Sequence, residues 1–305
     1  MKLATTTGDF GRFCATYEER VSHVIRAGFR YLDLNLYTVK PGDSLLADAD
    51  WKKNAGKLQE YTKRLGGTFV QAHSVGFNPL LRDDFWQTGF DATVRSLEIC
   101  RILGIPHTVV HAGWKKGLDK DGFFEENRKF YELLFPYMEQ TGVAVLTENS
   151  TKANMGTHWY IESGEDTRQF ADYVNHPLFH ACWDTGHANI QGNQYADILA
   201  LGDQLHAVHI NDNRGQGDEH ILPYLGTMNL DEILHALRDV GFRGAFTFEC
   251  ETSLRPSGSW QGRRRSFPED TRLLEPQCFM QDDMETLLYH IGEYALKTYN
   301  CFEES

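Results

Sequence analysis

The sequence contains no run approaching the roughly 18 apolar residues that a membrane-spanning helix requires. Its start, MKLATTTGDFGRF, lacks the continuous apolar core of a secretory signal. Both absences predict a soluble, cytoplasmic protein without membrane contact. Cysteine is sparse and scattered: Cys14, Cys100, Cys182, Cys250, Cys278 and Cys301 form no CxxC pair, which argues against a closely spaced thiolate site. Four of the six sit in apolar helix or strand patterns, so buried, reduced thiols are expected. NST at 149–151 matches a glycosylation acceptor, but without a secretory signal it is read as chance. There is no GxGxxG turn after the first strand, no P-loop and no HExxH, so no nucleotide cofactor is implied. DKDG at 119–122 begins like a calcium loop and lacks the later ligands. Positive charge is also in short supply. With 30 Lys and Arg against 43 Asp and Glu, the net charge of -13 repels phosphate backbones and anionic membranes.

What is present is an alternation. Hydrophobic residues at 41% suffice for a large core. Short β-branched runs (MKLATTT, YLDLNLY, TFVQAHS, HTVVHAG, VAVLTEN, HACWDTG, HAVHIND and GAFTFECE) are separated by longer amphipathic runs, from YEERVSHVIRAG to the closing MQDDMETLLYHIGEYALKTY. Gly28, Gly66, Gly104, Gly142 and Gly241 stand where a glycine closes a helix before the next strand. Parallel strands need right-handed helical crossovers, so eight such units predict an α/β fold of the closed (β/α)8 TIM-barrel type rather than an open doubly wound sheet. The length would allow two domains, yet no linker or composition break divides the chain, and a single domain over residues 1–305 is expected. Its longest irregular stretch, 253–277, follows strand eight.

Barrel active sites are assembled at the C-terminal ends of the strands. There the sequence places His73 on strand three, His111 on strand four, Glu148 on strand five, Asp184 on strand six with His187 just beyond, His209 on strand seven with Asp218 and His220 in its loop, and Glu249 on strand eight. One histidine at a strand end is more often structural than a ligand, and one acid is more often a cap or a solvated charge. Six successive strands ending this way are another matter. Carboxylates crowded at one mouth cannot all stay ionised and unpaired, and a divalent cation resolves the conflict. Imidazole and carboxylate ligands without thiolate suit Zn, Mn, Co or Fe.

The blocks AHSVGFNP, VVHAGW, TENS, CWDTGHANIQG, HINDNRGQGDEH and FECE resemble, in order and spacing, the xylose-isomerase-like TIM barrels, which include sugar and sugar-phosphate isomerases and epimerases as well as the endonuclease IV type of abasic-site nuclease. The resemblance runs from strand three to strand eight. It implies that Glu148, Asp184, His209 and Glu249 hold a single catalytic divalent ion, as in the epimerase branch, with His187 orienting the substrate. In the nuclease branch the same four are joined by His73, His111, His187, Asp218 and His220 around three zinc ions, and this chain matches all nine. A homo-oligomer is also implied by resemblance.

Isomerisation beside a carbonyl requires a proton to leave carbon and the resulting enediolate to be stabilised. Glu148 and Glu249 are the expected proton carriers, beside a metal acting as Lewis acid. Trp114, Asn211 and Arg214 are the expected substrate contacts; Phe77, Trp159 and Trp260 are further candidate walls for a sugar. Lys115, Lys116, Lys152, Arg214 and Arg263 to Arg265 follow strands and could hold a phosphate. The region after strand seven, ILPYLGTMNLDEILHALRDVGFRGAFTFECE, resembles the isomerase branch more closely. The reading is therefore a metal-dependent sugar or sugar-phosphate isomerase or epimerase. Its alternatives are a zinc-dependent abasic-site phosphodiesterase and a dehydratase of the keto-inositol or dehydroshikimate type, since the same enediolate could expel a hydroxyl group.

Overall fold

A computed structural model describes residues 1–40, 45–192, 194–254 and 275–303. Eight parallel strands pair in chain order and close, the last against the first: β1 (Lys2–Thr6), β2 (Tyr31–Asn35), β3 (Thr68–His73), β4 (His107–Val109), β5 (Ala144–Glu148), β6 (Phe179–Asp184), β7 (Leu205–Ile210) and β8 (Ala245–Phe248). Around them run α1 (Tyr17–Ala27), α2 (Trp51–Arg64), α3 (Trp86–Leu103), α4 (Lys120–Glu132), α5 (Phe135–Thr141), α6 (Lys152–Met155), α7 (Gly164–Val174), α8 (Thr185–Asn189), α9 (Tyr195–Leu201), α10 (Leu230–Asp239) and α11 (Cys278–Thr298). This is a single-domain TIM barrel, as the alternation predicts.

The local chemistry explains why the elements stop where they do. All five glycines expected to close helices have positive φ, between 69° and 121°, a region that side chains with a Cβ rarely occupy. Helix α1 opens with a reciprocal Thr16–Glu19 capping box. Asp119 of the abortive calcium motif is the N-cap of α4 and accepts from the Gly122 amide. The amphipathic run from 123 to 142 forms parts of two helices: Leu133 and Leu134 interrupt it, and Pro136 stands in the first turn of α5, where its missing N–H costs nothing.

Strand alternation sets the inward face. Val109, Leu146, Cys182 and Ala207 form their own buried cluster, apart from the larger core between sheet and helices. Each lies two residues before a polar group, His111, Glu148, Asp184 and His209 in turn. A period of two puts both members of such a pair on one face, so the polar groups form the layer above an apolar plug. On the other side of the barrel Thr247 hydrogen-bonds Gln71 at 3.0 Å, two residues below Glu249 and His73.

Candidate active site

The polar layer lies at the C-terminal mouth, beneath a cavity of about 540 Å3 that His111 and Glu148 reach. His73, His111, Glu148, His187, Asp218, His220 and Glu249 line it, together with Tyr37, Arg20 and Glu251. Three placements differ from the sequence expectation. His111 lies two residues beyond β4, because the pairing of β3 with β4 ends at His73 and Val109. His209 is the penultimate residue of β7. Glu249 follows β8, its amide still held by the Ile210 carbonyl at 3.1 Å.

Glu148, Asp184, His209 and Glu249 each present a ligand atom within 4.8 Å of the other three, and all are buried. Two more groups adjoin them. His73 and His111 gather at Glu148, with Nε2 atoms 4.0 and 3.5 Å from its Oε2. On the other side Asp218 lies between His187 and His220, 3.2 and 2.9 Å from their Nε2 atoms.

The backbone around the group is built to hold it. Asn149 accepts from the Asp184 amide at 2.7 Å and donates to its carbonyl at 3.0 Å, so the residue of the NST motif is buried and fixes β6. Asp184 caps α8: its Oδ1 accepts from the His187 amide at 2.6 Å. The same short helix aims the His187 ring, whose Nδ1 lies 2.9 Å from the Asn149 carbonyl oxygen.

The electrostatics show a site short of positive charge. Burial pushes the Glu249 carboxyl well up, reinforced by Glu251 and Glu148. At Glu148 burial acts in the same sense, but the imidazoles of His209, His111 and His187 together outweigh it and hold the carboxyl below its usual range. Burial would lower His187, yet Asp184 and Asp218 raise it to about 10. His209 and His220 are likewise raised against burial by neighbouring acids, with Cys182 also acting on His209. Protons on imidazoles supply the balancing charge that a divalent cation would bring. The donor set fits such an ion: carboxylate oxygens with imidazole, all buried and with ligand atoms within 4.8 Å of one another. The cysteines stay out of it. Cys182 Sγ lies 3.9 Å from Glu148, but burial pushes its thiol up to about 12, and Cys182 and Cys250 are free, buried thiols.

Several expected substrate contacts lie elsewhere. Trp114, Asn211 and Arg214 do not line the mouth cavity among the described residues. Asn211 is fully buried behind the site, donating to Asp184 Oδ2 at 2.7 Å. The Trp114 carbonyl accepts from Asn78, and Arg214 folds back onto Glu219 through 3.1 and 2.7 Å bonds. Trp159 is a core residue bonded to the Ile161 carbonyl, and Phe77 packs on Phe130. Lys152 pairs with Glu162. Trp260 and Arg263 to Arg265 lie outside the described residues. The aromatic at the mouth is instead Tyr37, 47% exposed and edge-on to His73. Asp33, which sequence reasoning passed over, is fully buried on β2 with its Oδ2 4.0 Å from His209 Nε2. Its one signal in the sequence is an acid between two leucines in the middle of a strand.

Comparison with known proteins agrees with this architecture. The chain is 25% identical over 270 residues to an uncharacterized protein, y4fM, of Sinorhizobium fredii, covering 76% of this chain and 82% of that one. A shorter stretch of 96 residues is 38% identical to L-ribulose 3-epimerase of Methylomonas sp., covering 30% and 31% of the two chains. The D-psicose 3-epimerase of Clostridium cellulolyticum, solved with D-tagatose, superposes with a TM-score of 0.71 at 18% identity over 97% of this chain and 99% of that one, a likeness of fold. No helix among the described residues is long and apolar enough to cross a membrane. The sequence profile of one family, described as xylose isomerase-like TIM barrel, matches residues 21–275, and to that family the chain belongs.

Proposed function

We propose that the protein is a divalent-metal-dependent isomerase or epimerase of a small sugar or sugar phosphate. The observation that carries this reading is the convergence of Glu148, Asp184, His209 and Glu249 within 4.8 Å, with Glu148 and Glu249 lining a sugar-sized cavity. The likeness to sugar 3-epimerases supports it. A divalent ion held by the four would supply Lewis-acid stabilisation of the negative charge that develops when a carbon beside a carbonyl loses its proton. The protein's own groups do the rest. Glu148 and Glu249 enter from β5 and from just beyond β8, and they would take the proton from carbon and return it. His187, lining the cavity and held by Asn149 and Asp218, would orient a substrate hydroxyl. Burial of the cluster excludes the water that would otherwise screen these charges.

A second reading is favoured by one specific observation. The groups His73–His111–Glu148 and His187–Asp218–His220 flank the central four, as a three-ion phosphodiesterase would need. The net charge of -13 weighs against a DNA substrate. Incubating the metal-replete protein in D2O with ketopentoses, ketohexoses and their phosphates separates the two. Deuterium appearing at a substrate carbon supports the isomerase, whereas incision of abasic DNA without any such exchange supports the phosphodiesterase.

A further inference from the structure

We propose that Cys14, His23 and Cys278 form a second metal site, for zinc, at the rim of the barrel mouth and separate from the candidate active site. Cys14 lies between β1 and α1, His23 is on α1, and Cys278 is the first residue of α11. Their two sulfurs and one ring nitrogen all lie within 4.8 Å of one another. Cys278 Sγ is 3.8 Å from His23 Nε2. Adjacent corners of a tetrahedral zinc site, with Zn–S of about 2.3 Å and Zn–N of about 2.0–2.1 Å, stand at about this separation.

The histidine carries the support that a ligand needs. Its Nδ1 is 2.5 Å from Asp282 Oδ1, and its ring stacks on Phe10 at 4.8 Å. Cys278 Sγ stands nearly as close to Nδ1, at 4.0 Å, but the Asp282 carboxylate accepts the hydrogen bond from Nδ1, which fixes the tautomer and leaves Nε2 as the donor. Asp282 lies one turn from Cys278 on α11, so a single helix face delivers both the sulfur and the carboxylate. Arg26 competes for the same nitrogen, with its NH2 2.6 Å from Nδ1, but it also reaches Asp282 Oδ1 at 3.7 Å and pairs with that carboxylate once Nδ1 carries a proton.

Two sulfurs and an imidazole select zinc over the harder ions magnesium, calcium and manganese. Binding converts two thiols to thiolates and releases two protons, leaving the fourth corner to water. Burial pushes the Cys14 thiol up to about 11, so without the ion the pair has little thiolate to react with oxidants. The ion would tie the first strand–helix unit to the last. The β1–α1 segment gives Gly8, Gly11, Tyr17 and Arg20 to the cavity wall, and Cys278 begins the helix that follows residues 255–274. Arg12 makes a parallel tie, bonding the Leu254 carbonyl at 3.1 Å and Glu275 at 3.2 Å. This inference does not rest on the proposed reaction.

Expression in zinc-poor medium supplemented with cobalt tests it on the protein as purified. The expected result is thiolate-to-cobalt charge-transfer absorption that disappears in Cys14→Ser and in Cys278→Ser, persists in Cys182→Ser, and needs about 10–100-fold more cobalt in Asp282→Asn. On wild-type protein, where folding of a variant is not at issue, zinc should protect Cys14 and Cys278 from alkylation while Cys301 reacts at an unchanged rate. Absence of the band, its loss only in Cys182→Ser, or recovery of Cys14 and Cys278 as a disulfide-linked pair from reductant-purified protein would overturn the proposal.

Discussion

His209 Nε2 and Asp33 Oδ2 face each other at 4.0 Å in the barrel interior, both fully buried. Neither that nitrogen nor either oxygen of Asp33 has a hydrogen-bond partner. The Asp33 carboxylate faces Nε2 at ion-pair rather than hydrogen-bond range, while Nδ1 turns to Glu148 at 2.5 Å and Glu249 at 3.4 Å. Asp33 is therefore expected to act through His209, as carboxylates behind metal-bound histidines do. Asp33→Asn should weaken binding of manganese or cobalt by about 10–100-fold in a competitive chelator titration. Unchanged affinity would remove Asp33 from the site.

Asn211 offers a contrast between holding a ligand and holding a substrate. Its Nδ2 bonds Asp184 Oδ2 at 2.7 Å, and its Oδ1 would lie 1.7 Å from a Cβ placed on Gly186. Only glycine at 186 leaves room for this amide. Asn211→Ala should thus lower metal affinity by at least about tenfold while KM at saturating metal changes little. Gly186→Ala should lower both metal affinity and melting temperature, measured by titration and calorimetry.

How much of this was legible in the sequence depends on what each feature needs. The barrel was, because periodicity and closing glycines are local signals, and Gly28 or Gly142 can be read without knowing their neighbours. The polar groups at strand ends were also legible, since strand direction alone sends Glu148 and Asp184 to the mouth. Side-chain facing was not. Trp159 reads as well for a sugar wall as for a core, and only its packing on Phe123 of α4 decides it. Arg214 is removed from the mouth by Glu219, five residues on, through loop geometry that no periodic pattern encodes. Asp33 needed a partner 176 residues away to become meaningful.

Removing the proposed proton carrier should separate exchange from binding. Glu249→Gln keeps the side chain's size and its carbonyl oxygen but cannot take a proton, so deuterium exchange at the substrate carbon should fall by about 10²–10⁴-fold at saturating metal. Exchange at the wild-type rate would remove Glu249 from proton transfer.

A different pair of acids governs stability. Asp9 and Glu285 adjoin under α11, with Asp9 Oδ1 and both Glu285 oxygens lacking hydrogen-bond partners. Burial raises both, Asp9 with further repulsion from Glu285 and Glu251, and Glu285 reaches about 7 from an ordinary value of 4.5. For an acid raised in the folded state, the unfolded chain loses its proton first. Folding stability is then fullest below pH 4.5, falls as the pH rises toward 7, and levels off above that. Glu285→Gln cancels this loss for one group. Its melting temperature should match wild type near pH 4.5 and exceed it by about 5 °C at pH 8. An increase equal at both pH values would contradict the assignment.

The most direct test of the central claim is anomalous diffraction from crystals grown in excess manganese, an ion that the thiolate pair at Cys14 and Cys278 would not hold. One peak is expected at the barrel mouth, bounded by Glu148, Asp184, His209 and Glu249. No peak among these four residues at saturating manganese would contradict the claim.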